Sequence, residues 1–93
     1  MSHTWHHYSV RTNIVKLKYA TALTLKQIRN EAGLSQEQLA RKSGIDRTYI
    51  SGVERSVRNI TLDSLEGLID ALGITSEEFI RRLQVELVNN KSS

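Results

Sequence analysis

From Lys18 onward, apolar residues return every three or four positions. That is the period of a helix with one buried face. Leu25, Ile28 and Ala32 make the first such stripe, and Gly33 predicts its end. Ser35 and Gln38 have capping-box spacing, which predicts a helix over Gln36–Ser43 that buries Leu39 and Ala40 and stops at Gly44. Asp46 predicts the cap of a third helix running to about Arg55. After a loop at 56–60, Thr61 caps a fourth helix whose stripe is Leu62, Leu65, Leu68, Ile69 and Leu72, with Gly73 as its stop. Thr75 and Glu78 repeat the capping-box spacing and open a fifth helix with Phe79, Ile80, Leu83 and Leu87, fraying at "NNKSS". Residues 1–9 show no period, and 10–17 fit a short helix, a strand or an ordered arm. The expected organisation is a poorly defined tail or arm over 1–17, one domain over 18–88 and a frayed end over 89–93. Five short helices with tight connections make an all-α domain.

Composition narrows the function. A chain of 93 residues is one domain of marginal stability, to which dimerisation would add buried area. Zero cysteines exclude a disulfide staple and a cysteine zinc site, and zero prolines favour helices. No apolar run is long enough to cross a membrane and no signal peptide opens the chain, so the cytoplasm is expected. The net charge of +3 is unevenly spread. Residues 1–30 hold five basic residues (Arg11, Lys16, Lys18, Lys26, Arg29) and no acids, whereas residues 61–93 hold three basic and six acidic ones, a balance of −3. A basic front suggests a polyanion on one side, against the plainer reading of a solvated surface.

The segment Gln36–Glu54 sharpens this. Two short helices joined by a tight turn around Gly44 have the helix-turn-helix layout, whose second helix enters the major groove. Leu39 and Ala40 allow close approach, and Ile45, Ile50 and Val53 seal the corner. On a helical wheel, Ile50 and Val53 fall on one side, flanked by Glu54. Thr48, Ser51, Gly52 and Arg55 fall on the other, with Arg47 and Tyr49 at its edges. Arginine can donate twice to a guanine edge, and threonine can bond a base or touch a thymine methyl. Arg47, Thr48, Ser51 and Arg55 are therefore expected to read bases. Gln36, Tyr49, Arg58 and Asn59 are expected on the sugar-phosphate backbone, although Tyr49 could equally be half core. Gly52 inside a helix costs about 1 kcal/mol relative to alanine. Close approach of DNA and of a neighbouring helix explain it equally well.

The stretch "LSQEQLARKSGIDRTYISGVERSVRNITLDSLEGLIDALGI" resembles the lambda-repressor-like, or XRE-type, helix-turn-helix family, over about Leu25 to Leu83. Within it, "IDRTYISGVERSVRN" is similar to the controller proteins of restriction–modification systems. The resemblance implies a transcriptional regulator that binds palindromic double-stranded operator DNA as a homodimer, acting on its own promoter and the endonuclease promoter. It places the reading-helix contacts on Arg47, Thr48, Tyr49 and Ser51 and the loop contacts on Arg58 and Asn59. Activation makes RNA polymerase a further partner to consider. Arg29 and Glu54 match an arginine and a glutamate of the resembling repressors, which implies an ion pair between the first and third helices. A phage-type repressor and an antitoxin that sequesters a toxin are the rival functions.

Helices four and five carry more apolar surface than a small monomer needs. Leu65, Ile69, Leu72, Ile74, Phe79, Leu83 and Leu87 are therefore expected at a two-fold contact. Nothing points to an enzyme, since the chain has neither a phosphate-cradling glycine loop nor a nucleophile with a spaced base. No cofactor is expected. His3, His6 and His7 could in principle bind zinc or nickel, but their place in an aperiodic tail argues against a metal site.

Overall fold

A computed structural model describes the backbone of residues 3–92 and the side chains of residues 17–89. Five helices follow one another: α1 (His3–Glu31), α2 (Gln36–Ser43), α3 (Arg47–Glu54), α4 (Leu62–Leu72) and α5 (Ser76–Ser92). There is no strand among the described residues. The backbone is helical from His3, where the sequence reading expected a tail or arm over 1–17. The first glycine is Gly33 and the chain has no proline, so nothing in this stretch breaks a helix once it is nucleated. Helix α5 likewise continues through 89–92, past the expected fraying point. His3, His6, His7 and Trp5 lie outside the residues whose side chains are described.

Local signals set most helix boundaries. The Ser35 hydroxyl accepts from the Gln38 N–H at 3.0 Å, and the Gln38 side chain accepts from the Ser35 N–H at 2.8 Å. Thr61 and Thr75 cap α4 and α5 by accepting from the Ser64 and Glu78 N–H groups at 3.1 and 3.0 Å. The Glu78 carboxylate turns outward to Arg81. At Asp46 the side chain makes no capping hydrogen bond, although the residue occupies the N-cap position of α3. Its exposed carboxylate still sits favourably at the positive end of that helix. Gly33 closes α1 at φ 73°. There the Gly33 and Leu34 N–H groups donate to the Asn30 and Arg29 carbonyls, the double bond that follows a left-handed residue at a helix end.

The core gathers one face from every helix. Leu25 and Ile28 of α1, Leu39 of α2, Ile50 and Val53 of α3, Leu68, Ile69, Ala71 and Leu72 of α4, and Phe79 of α5 form one buried cluster. Fully burying a side chain such as Leu39 or Phe79 stabilises by roughly 1.5–3 kcal/mol. Helices α2 and α3 pack on each other, α2 packs on α4, and α1 packs on α3 and α5. Arg82 of α5 also donates twice to Glu31 of α1, at 2.9 and 2.7 Å. Those hydrogen bonds, reinforced by the charge of Arg82, hold Glu31 below the usual carboxylate range.

The apolar stripes of α4 and α5 divide differently from the sequence expectation. Ile69, Leu72 and Phe79, expected at the dimer contact, are 5 %, 8 % and 1 % exposed and fill the core. Leu65, Ile74 and Leu83 are partly buried against it, and Leu87 is half-buried. Leu62 and Ile80 instead point outward, at 79 % and 60 % exposed. A helical stripe wider than its packing surface must leave one edge outside, and the crossing angle of the neighbouring helices decides which edge.

Candidate nucleic-acid interface

Helices α2 and α3 form a corner whose turn depends on Gly44, at φ 76°. The Gly44 N–H donates to the Ala40 carbonyl at 2.8 Å, and the Ile45 N–H donates to the Ser43 hydroxyl at 3.1 Å. Ile45 packs against the buried cluster and Ile50 and Val53 belong to it. The inner side of α3 is thereby fixed, and so is its outward direction.

An internal brace fixes α3 further. Arg29 Nε and Nη2 donate to the two Glu54 oxygens at 2.7 and 2.9 Å. Both side chains are nearly inaccessible. Gln36 Nε2 adds a third bond to Glu54 at 2.9 Å, and Arg29 Nη1 donates to the Leu34 carbonyl at 2.8 Å. The buried charges are thus paired and hydrogen-bonded, which offsets their desolvation. The Gln36 amide nitrogen, which the sequence reading assigned to a phosphate, is committed inside the protein. Only its carbonyl oxygen and the backbone N–H groups at the start of α2 remain to face a ligand.

The outer side of α3 carries Arg47, Thr48 and Arg55 exposed and Ser51 half-buried. Among the described residues, Arg47 and Arg55 meet no carboxylate within ion-pair distance. Two guanidinium groups and two hydroxyls therefore stand in water on one rigid helix, without internal partners to compete for their donors.

The loop after α3 completes the surface. The Tyr49 hydroxyl donates to the Asn59 carbonyl at 3.3 Å and accepts from the Thr61 N–H at 3.2 Å. It therefore ties the loop to α3, a structural task that the backbone-contact assignment did not foresee. Burial acts to raise the Tyr49 phenol, but hydrogen bonding with Ser64 and Thr61 and the nearby Arg58 charge outweigh it and lower the group. The Arg58 guanidinium lies 5.0 Å from the centre of the Tyr49 ring, within cation–π range. Arg58 and Asn59 themselves are exposed.

Gly52 resolves differently from either alternative the sequence left open. It is buried, and a Cβ there would collide with Cγ of Arg58. The close approach is that of the loop side chain, and the Val57 and Arg58 N–H groups both donate to the Gly52 carbonyl. The bare backbone expected on the outer face is thus covered. Only tertiary packing shows this, because Arg58 is six residues away in an irregular segment.

A second surface escaped the sequence reading. An open apolar groove of about 610 Å³ runs beside this loop. Leu17, Lys18 and Thr21 of α1, Arg58, Asn59 and Ile60 of the loop, and Leu62, Leu65, Ile80 and Leu83 of α4 and α5 are among its lining residues. The available signal was Leu62 directly behind the Thr61 cap, an apolar residue at a position that usually meets water.

Comparison with known proteins agrees with this geometry. The family model described as "Helix-turn-helix" matches residues 25–79. A hypothetical transcription factor of Neisseria meningitidis serogroup B is 41 % identical over 64 residues, 69 % of this chain, which spans 60 % of that protein's length. Control protein C.SmaI of Serratia marcescens is 44 % identical over 66 residues, covering 71 % of this chain and 79 % of that one. The restriction–modification controller protein C.Esp1396I, solved as a tetramer with its natural 35 base-pair operator, superposes with a TM-score of 0.75 at 43 % identity, over 77 % of this chain and 95 % of its own. The chain belongs to the helix-turn-helix family, in the branch that includes the controller proteins of restriction–modification systems.

Proposed function

We propose that the protein is a dimeric, sequence-specific regulator of transcription that controls a restriction–modification system. The observation that carries this reading is the unpaired Arg47–Thr48–Ser51–Arg55 face on a helix whose other side is locked by the Arg29–Glu54 pair. Helix α3 lies in the major groove, with Arg47 and Thr48 in its first turn at base edges. The exposed Arg58 and Asn59 loop and the start of α2 hold phosphates on either side. A second copy of the chain covers the groove around Leu62 and Ile80. Because Arg58 and Asn59 line one end of that groove, the subunit contact lies next to the DNA-gripping loop. A two-fold axis there presents two α3 helices to successive major grooves, about 34 Å apart, on a near-palindrome. The protein acts in the cytoplasm. No helix among the described residues is long and apolar enough to cross a membrane.

A footprint on the promoter of the protein's own gene tests the reading, with a protected near-palindrome as the expected result. Two substitutions separate base reading from backbone grip. Arg47→Ala is expected to fold normally, to lose about 1–3 kcal/mol of specific binding and to relax preference at one base position. Selection from random DNA gives the check, and an unchanged motif contradicts the base-reading role. Arg58→Ala is expected to weaken operator and unrelated DNA alike and to flatten the salt dependence by about one counterion. Selective loss of one operator at constant salt slope contradicts that role.

A further inference from the structure

Helix α1 begins well before the helix-turn-helix. At 1.5 Å per residue, the stretch from His3 to Leu17 adds roughly 21 Å of helix ahead of the packed body. The controller of known structure covers 77 % of this chain while 95 % of its own length is used, so the likeness does not account for the whole chain. Residues 3–18 carry Arg11, Lys16 and Lys18 and not one aspartate or glutamate. The first turn of α1 likewise holds no acid. A helix start is electropositive and is normally eased by carboxylates. Here neither the side chains of this segment nor its first turn supply any negative charge.

The position of this segment gives that charge a direction. Lys18 is exposed and lines the same groove as Arg58 and Asn59. The basic half of α1 therefore sets out from the wall shared with the loop that holds the DNA backbone. Arg11 lies seven residues before Lys18, two helical turns back on the same stripe. We infer that the N-terminal half of α1, through Arg11, Lys16 and Lys18, forms a second contact with the phosphate backbone of duplex DNA, beyond the phosphates held by the Arg58–Asn59 loop. This rests on the regulator reading above. The contact is electrostatic and independent of sequence, so it adds affinity on any duplex and strengthens as salt falls.

The test compares the full chain with its Arg11→Gln/Lys16→Gln/Lys18→Gln variant on a duplex carrying the footprinted operator and on an unrelated duplex. Binding is measured from 50 to 300 mM salt, with helix content checked by circular dichroism and mass by sedimentation. Three neutralised contacts are expected to flatten the slope of log K against log salt by roughly 2–3 and to weaken both duplexes about tenfold to a hundredfold at 0.15 M salt. The selected base motif is expected to stay the same. A folded variant with an unchanged slope overturns the inference. A variant whose monomer–dimer balance shifts while its slope holds overturns it too, and assigns the segment to the subunit contact. Should the triple variant lose helix content, Lys18→Gln alone, at an exposed position, is read instead, with a slope change of about one expected and no change overturning the idea. Failure of the unaltered chain to prefer any operator sinks the regulator reading itself, an outcome distinct from a normal operator affinity with an unaffected slope.

Discussion

Glu54→Ala is expected to destabilise the fold by about 3–5 kcal/mol, a large share of what a domain of this size has. The reason is what remains behind. Arg29 donates to both Glu54 oxygens from a nearly inaccessible position, and without the carboxylate its charge stays buried and uncompensated. The Gln36 amide loses its acceptor as well. Arg29→Ala is expected to cost a similar amount, since it strands the carboxylate instead. Replacing both partners with apolar residues of similar volume, as in Arg29→Met/Glu54→Leu, is expected to recover much of the loss, because no charge is then left in the interior. Urea denaturation of the four proteins gives the comparison. Single variants within about 1 kcal/mol of the parent would show that water reaches the pair and that it does not brace α3. Because the brace joins α1 to α3, the surviving folded fraction of each single variant is also expected to bind its operator less tightly.

Ile80→Glu is expected to abolish tight operator binding while leaving the fold intact. The exposure of Ile80, 60 %, makes it a cleaner probe than the partly buried Leu83. A carboxylate there meets water in the monomer and an apolar wall in the dimer. Leu62→Glu, at 79 % exposed, is expected to act in the same way. Joining two DNA-binding modules multiplies affinity by about 10²–10⁴ through effective concentration. Loss of the dimer should therefore weaken the full operator by about a hundredfold or more, with little change on an isolated half-site. Sedimentation at micromolar concentration is the direct measurement. The parent is expected at twice the 10.6 kDa chain mass and the variants near the chain mass itself. Variants that stay dimeric, or a monomeric parent that binds one half-site tightly, would remove the groove from the assembly.

Much of the helical framework was legible from short-range chemistry. Ser35, Thr61 and Thr75 cap because a hydroxyl at the N-cap reaches an N–H only three residues on. Gly33, Gly44 and Gly73 stop helices because each adopts a positive φ that other residues resist. These are interactions within a few residues of one another, and sequence order is enough to state them. The outward face of α3 was legible for the same reason, since helical periodicity separates Arg47, Thr48 and Arg55 from Ile50 and Val53 without reference to any other element. Asp46 marks the edge of this kind of reading. Its residue type suits a cap, yet its carboxylate makes no such bond.

What the tertiary structure decided are contacts between elements far apart in the chain. Phe79 and Ile80 are adjacent, equally apolar and on one helix, yet one is 1 % and the other 60 % exposed. Only the placement of α5 against its neighbours distinguishes them. Gly52 was ambiguous because the group that needs its missing Cβ is Arg58, carried back over α3 by a loop with no period of its own. Gln36 and Tyr49 have side chains that suit a phosphate equally well, and folding gave them internal partners in Glu54, Asn59 and Thr61. The groove between α1, α4 and α5 exists only after three separate segments converge. Local chemistry decides where a helix starts, ends and turns its apolar side, because those terms are settled within one or two turns. Which edge of that side stays in water, and which polar groups remain free for DNA, depends on the packing of whole helices, which no single stretch of sequence encodes.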